Sequence, residues 1–510
     1  MSTLVNNQMQ HAASPYQPVS GHAIERLAIQ TSHLSLTLAL CLLVTTFPIA
    51  AFFISPLIAI IGHLILVSAV TFYFAPALPQ IVYFALLFQN IIISIFSGFV
   101  SDAESFNILK GFNFLTMMVA WLWLFGSYAM NWRVHSRQVN RIMAVGLIAF
   151  AIIGFYLLLG MAKNPMAASI YLRNIITPMV MFQLFFFVAL RFNQPLLPFF
   201  TTVTVIVIIA GWIEMLDRPL WLDLTNGWTY WGKIMEKDIL NLSWDQDAKE
   251  KGQVLLGILD SMRVDFLNTP LLGDNSIKIT RMNGPNLHPI SYSYALSILA
   301  LIMWFSKRGW WVLPLLPLLL LASAKGSMIM IFLAFCALLA RFLFGAVFGL
   351  VSLVFVLVCY FVLGIIIGLD IGDFHVLGFM GGVYDFLGNP IGYGLGDGGN
   401  LATNFGKLDW SAYQAAGRTP TAMESAVGVM MRQMGFAAFA LLACYAWIGY
   451  QTFKLSLQSK VALHSIASFG LFIILVNGVF QEEALFSPLA LGSMMALNGH
   501  ILGASLRAVR

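Results

Sequence analysis

Charge is scarce in this chain. Only 10 % of its 510 residues are Asp, Glu, Lys or Arg, whereas an average soluble domain carries about 25 %, so a water-soluble globule of this length is excluded. Cysteine is scarcer: Cys41, Cys336, Cys359 and Cys444 each sit inside an apolar run. They read as small membrane-buried hydrophobes rather than a disulfide framework or a metal site. The patterns G-x-x-x-x-G-K-[ST], H-E-x-x-H and paired Cys are also missing, which removes support for ATP-driven transport and zinc catalysis. The polar N-terminal segment, with His11, His22, His33 and the Pro15/Pro18 turn, lacks a basic n-region and a cleavage site. It reads as a cytoplasmic tail, not a signal peptide. The 27 Lys+Arg against 22 Asp+Glu give a net charge of +5. That excess belongs to loop ends on the cytoplasmic side and implies no nucleic-acid partner.

What the chain has is apolar length. Apolar residues make up 59 %, aromatics 14 % and glycines number 41, with a mean hydropathy of +0.84. The solvent that satisfies such side chains is lipid, so the chain is read as an all-α, polytopic transmembrane bundle. About fourteen stretches approach membrane-spanning length: 34–55, 56–75, 78–100, 110–130, 142–161, 174–191, 196–215, 286–305, 309–323, 326–340, 343–369, 425–451, 461–481 and 484–506. The ninth is short and holds Pro314 and Pro317, a kinked or re-entrant helix, so the count is twelve to fourteen. With a cytoplasmic tail at 1–33, the basic residues Arg133, Arg137, Arg141, Arg191, Lys307, Arg308, Arg341, Lys454, Lys460, Arg507 and Arg510 fall inside, as the positive-inside bias requires. The organisation is then 34–216 N-terminal spans, 217–284 first outer loop, 285–369 central spans, 370–424 second outer loop and 425–510 C-terminal spans.

Two outer loops this long imply a role. The first holds Trp221, Trp228, Trp231 and Trp244, which suit either stacking on sugar rings or anchoring at the membrane interface. The second is Gly-rich, GFMGGVYDFLGNPIGYGLGDGGN, and has to turn tightly or admit something close to its backbone.

Cations on the outer side break the positive-inside bias and therefore need a reason. They are Arg173, Arg281, Lys325, Arg418 and Arg432. Together they match a polyanionic head group, because guanidinium grips phosphate oxygens bidentately; singly, each reads as a snorkelling or helix-end charge. His288, at the mouth of a span seven residues after Arg281, is a hydrogen-bond donor, a proton carrier or a structural residue. Glu424 is a general base on an acceptor hydroxyl or a charge at a helix N-terminus. Glu482 and Glu483 orient the arginines or flank a loop. Asp102 and Glu104 are acids that a divalent cation needs, but a solvated loop is the commoner reading.

In their order, Arg173 in IYLRNIITP, RMNGPNLHPISYSYAL, LLLLASAKGSMIMIFLAF, GYGLGDGG and ESAVGVMMRQMGF resemble the bacterial O-antigen ligase and polymerase superfamily, over Tyr171 to Phe486. Two positions depart from the family pattern: Glu424 stands eleven before Gly435, where ligases have histidine, and Lys325 stands where arginine is usual. The departures favour a polymerase over a ligase. The resemblance implies a GT-C-like bundle in the bacterial inner membrane, multi-pass, with two large periplasmic loops. It implies a metal-independent, cofactor-free glycosyltransferase that polymerises O-antigen, capsule or exopolysaccharide on undecaprenyl-pyrophosphate. Arg173, Arg281, Lys325, Arg418 and Arg432 would hold the pyrophosphate and Glu424 or His288 would act as base. Its partners would be the lipid-linked glycan, the bilayer, a flippase and a chain-length regulator. The alternatives are a ligase acting on lipid A core, a lipid-linked oligosaccharide flippase, and a metal-dependent enzyme using Asp102 and Glu104.

Overall fold

The computed structural model of the protein describes residues 21–100, 102–242, 258–266, 277–400 and 410–507. Helices α1 (Gly21–Phe52), α2 (Pro56–Tyr73), α3 (Leu78–Ile95), α4 (Ala103–Met130), α5 (Arg137–Met161), α6 (Pro165–Arg191) and α7 (Leu197–Leu216) form the first half. Three short helices follow, α8 (Arg218–Leu224), α9 (Gly227–Leu242) and α10 (Ile258–Ser261), with a small hairpin of β1 (Arg263–Asp265) and β2 (Lys278–Thr280). The hairpin is antiparallel, Val264 opposite Ile279. The second half has α11 (Pro289–Phe305), α12 (Val312–Ala322), α13 (Lys325–Phe344), α14 (Ala346–Asp370), α15 (Phe374–Gly388), α16 (Trp410–Ala416) and α17 (Ala426–Met434). It closes with α18 (Phe436–Ser459), α19 (Ala462–Phe480), α20 (Glu482–Phe486) and, after a π-helical turn at Pro488–Gly492, α21 (Ser493–Arg507).

Among the described residues, twelve helices are long and apolar enough to cross a membrane, and two shorter apolar helices, Pro289–Phe305 and Gly309–Ala322, complete the fourteen runs read from the sequence. Three boundaries differ from that reading. The first helix starts at Gly21, inside the segment assigned as a tail. The run 425–451 is two helices, because Gly435 adopts φ +54° and lies against the Pro390 carbonyl, where a Cβ has no room. The loop 370–424 contains α15 and α16.

The centre is built from α3, α6 and the last helix, whose apolar windows are 83 %, 78 % and 78 % buried. Gly499 and Gly503 of α21 sit directly on the Phe182 and Phe186 carbonyls of α6; this small-xxx-small stripe lets the two helices approach closely without a side chain between them. By contrast α14 has only 11 % of its window buried and presents Val347, Val351, Phe355, Val358 and Ile366 outward, as a helix bathed in lipid does.

The connections that alternate threading sends outside are tied together at one end. Asn90 donates to the Asn286 carbonyl (2.7 Å), Asn226 to Ser97 Oγ (3.1 Å), Lys163 to the Tyr393 carbonyl (2.7 Å) and Arg281 to the Ala322 carbonyl (3.0 Å). Every one of these links joins two segments assigned to the same side.

Candidate active site

At that end a cleft of about 410 Å³ opens between α13, α14, α15 and α19. Its polar end is lined by Arg281, Lys325, Asp373, His375, Asn477 and Gln481, and its apolar wall by Leu363, Gly364, Ile367 and Gly368 of the lipid-facing α14. A groove with this division accepts a charged head and an acyl or prenyl tail together.

Arg281 is aimed by a buried scaffold. Glu214 accepts the Asn283 and Gly284 amides (2.9 and 2.7 Å) and pairs with Arg218 (3.0 Å). Arg218 in turn donates to the Arg281 carbonyl (2.7 Å). The Arg281 guanidinium donates from Nε to Ala322 O and from one terminal nitrogen to Ser323 O (3.5 Å). These acceptors are neutral, so among the described residues no carboxylate bonds the guanidinium directly. Burial lowers its pKa, and Glu483 opposes that shift. Lys325 begins α13 after Ser323, which stops α12 in the left-handed region (φ 49°, ψ 46°). The break turns the N-terminus of a 20-residue helix toward the cleft, adding a partial positive charge to the two cations. Asn477 holds that first turn by donating to Gly326 O (2.7 Å).

Glu424 lies beside this centre in a conformation that disfavours side chains, φ +57°, which costs about 1–3 kcal/mol. Asn400 compensates by two reciprocal bonds: its Nδ2 donates to Glu424 Oε1 and its Oδ1 accepts the Glu424 amide, both 3.0 Å. The Glu424 carbonyl accepts from His375 Nδ1 at 2.8 Å, and its Oε2 is 3.6 Å from the same nitrogen. A carbonyl only accepts, so Nδ1 carries the proton and Nε2 keeps its lone pair. His375 therefore has the tautomer of a base. Sequence reasoning missed it; the available signal was Asp373, whose carboxylate caps α15 by accepting the His375 and Val376 amides (3.0 and 3.3 Å).

His288 has the opposite tautomer. Its Nδ1 accepts from the Ser291 amide (3.3 Å) and caps α11, which leaves the proton on Nε2. It fits the role of donor and not that of base. Glu482 and Glu483 stand close to Glu424; burial, then Glu483 and Glu424, push Glu482 up to about 8. Burial also raises Glu483, and His375 and Arg281 draw it back.

The other three cations are placed differently. Arg432 is clamped by Asp385 (2.7 Å) and by Asp397 through two nitrogens (2.7 and 3.0 Å). Burial alone would lower its pKa, but the two aspartates outweigh it and raise it. Lys163 joins Asp397 at 3.2 Å, so this network anchors the Gly-rich loop. What approaches that loop's backbone is the chain itself: Leu395 N–H donates to Tyr156 O (2.9 Å) and Gly399 N–H to Ala422 O (2.7 Å). Arg418 lies 3.3 Å above the Tyr384 ring and is not among the residues lining the cleft. Arg173 is half-buried within α6 and likewise not part of the lining. Asp102 caps α4 by accepting from the Ser105 amide and hydroxyl (2.7 and 2.9 Å), and Glu104 follows in the same first turn.

Of the tryptophans, Trp221 is buried, Trp228 donates to Asp223 (2.8 Å) and Trp231 packs edge-on against Tyr230; Trp244 lies outside the described residues. All four cysteines are free, and Cys336 is exposed on the outer surface of the bundle.

The fold is that of a multi-pass, α-helical membrane protein. The chain matches no protein-family model, no curated protein and no solved structure, so its function has to be argued from this cleft.

Proposed function

We propose that the protein is a polysaccharide polymerase of the bacterial inner membrane, moving glycan between undecaprenyl-pyrophosphate-linked repeat units at the periplasmic face. The observation that carries this reading is the cleft, in which two cations and a helix N-terminus meet at the polar end of a groove walled by a lipid-facing helix. Polyprenyl pyrophosphate has that same division of charge and hydrocarbon.

In the proposed reaction Arg281, Lys325 and the first amides of α13 hold the pyrophosphate of the donor. His375 Nε2 takes the proton of the acceptor sugar hydroxyl while its Nδ1–H stays on Glu424, whose carboxylate stabilises the resulting imidazolium. The new glycosidic bond forms as the bond from anomeric carbon to phosphate oxygen breaks, and the electron pair leaves on the pyrophosphate. Charge develops on that leaving group, so the fixed cations stabilise it as it departs. Arg432, and Glu214 with Arg218, are positioning residues.

The test is the full-length protein in detergent with lipid-pyrophosphate-linked repeat units and excess chelator, products being resolved by gel. A ladder of lengthening glycans supports the reading. Absence of any ladder, with donor still bound, contradicts a polymerase and points to transfer onto lipid A core or to transport, which the addition of that acceptor and a vesicle assay separate.

A further inference from the structure

A second cleft, of about 400 Å³, lies at the opposite end of the bundle between α5, α18 and α21. Its lining brings together Arg137, Arg141, Lys454, Gln451, Gln458 and Trp447, and among the described residues no Asp or Glu contributes to it. Four other cations at this end are held by the chain: Arg191 donates to Ser127 Oγ, Arg308 to Thr201 Oγ1, Arg341 to Ser465 Oγ and Arg507 to Phe192 O; Arg133, Lys307 and Lys460 do not line the cleft. Arg137, Arg141 and Lys454 differ. Among the described residues no side chain or carbonyl accepts a hydrogen bond from them, and the one contact of Lys454 is with the Tyr450 ring at 5.4 Å.

Three like charges around one cavity repel, which is tolerable where an anion joins them. The lining runs from Gln458 at the polar end of α18 to Trp447, eleven residues or about 16 Å along the helix. The cleft is therefore cationic at its mouth and runs along α18 toward hydrocarbon, where Trp447 lines it. On the adjoining side α5 exposes Ile148 and Phe155, a surface for acyl chains. A free anion would need only the mouth.

We propose that this cleft binds the phosphodiester head group of an anionic phospholipid of the inner leaflet, with its acyl chains laid on α5 and α18. Side-chain amides of Gln451 and Gln458 donate to the glycerol oxygens, and the three cations surround the phosphate. The site is independent of the polymerase reading, since it shares no residue with the first cleft.

Native mass spectrometry of the full-length protein, with phosphatidylglycerol, phosphatidylcholine and inorganic phosphate as separate probes, tests the site. Phosphatidylglycerol is expected to remain bound where phosphatidylcholine does not. Arg137→Gln, Arg141→Gln and Lys454→Gln combined should weaken it about a hundredfold, each cation contributing roughly a factor of five, while Arg281→Gln leaves it unchanged. Equal retention in the triple variant overturns the proposal, as does displacement of the lipid by millimolar inorganic phosphate. Should the triple variant fail to fold, a photoreactive phosphatidylglycerol on the unaltered protein decides. Label in the peptides carrying 137–142 and 447–458 supports the site, and label elsewhere overturns it.

Discussion

Arg281 and Arg432 are both arginines at the outer end of the bundle, and they do opposite things. Arg432 meets two carboxylates at 2.7 Å; Arg281 meets two backbone carbonyls and keeps its charge for the cleft. A fixed cation acts on a ligand only if the protein has not already neutralised it. The pair also shows why counting outer cations overstates a binding site. Of the five read from the sequence, only Arg281 and Lys325 reach the cleft.

The largest effect that this contrast predicts is structural. Arg432→Ala leaves Asp385 without its cation and Asp397 with Lys163 alone, a change that costs about 3–5 kcal/mol for a mostly buried pair. Thermal unfolding in detergent should show the loss, with Arg432→Lys recovering part of it. Normal stability in Arg432→Ala would erase the distinction between the two arginines. Next comes Arg281→Ala, which should keep the fold and lower polymerisation by about 10²–10³-fold, the range for removing one preorganised donor from a developing anion. Glycan formed per minute at saturating donor measures it.

Of similar size is the loss in His375→Ala and in Glu424→Gln, about a hundredfold in turnover with donor binding unchanged. A selective loss of donor binding in either variant would move that residue from proton transfer to support of the cleft.

A smaller effect is the pH dependence of stability through Glu482. Its pKa is about 8 in the folded protein against 4.5 for the free group, so the folded state binds the extra proton between those values. Its contribution is fully present below pH 4.5 and is lost as pH rises to 8. Glu482→Gln should flatten the fall in melting temperature across that interval; an unchanged slope would show that Glu482 is not the titrating group. Smallest of all is Asp102→Asn with Glu104→Asn. Asparagine caps a helix about as well as aspartate, so both stability and glycan synthesis should stay close to normal, and a requirement for added divalent cation would contradict that.

Most of the fold is legible in the sequence because a lipid-facing helix needs only apolar length, and each of the fourteen runs falls on helical structure. The break at Gly435 is not legible. AVGVMMRQMGFAAF reads as one continuous run, and only the approach of Pro390 from a distant loop forces the turn. Arg281 and Lys325 were visible because outer cations defy the positive-inside bias. The neutralisation of Arg432 was invisible, since its partners lie 35 and 47 residues away in the chain. His375 escaped because a lone histidine in a Gly-rich loop carries no pattern, and its tautomer depends on where the Glu424 carbonyl points.

The proposed reaction depends on Arg281 and Lys325 binding the pyrophosphate of a lipid-linked donor. It is tested most directly by retention of undecaprenyl pyrophosphate on the purified protein, compared between Arg281→Gln with Lys325→Gln and Arg432→Lys. The double variant should release the lipid while Arg432→Lys retains it. Retention by the double variant, or equal loss in both, would contradict it.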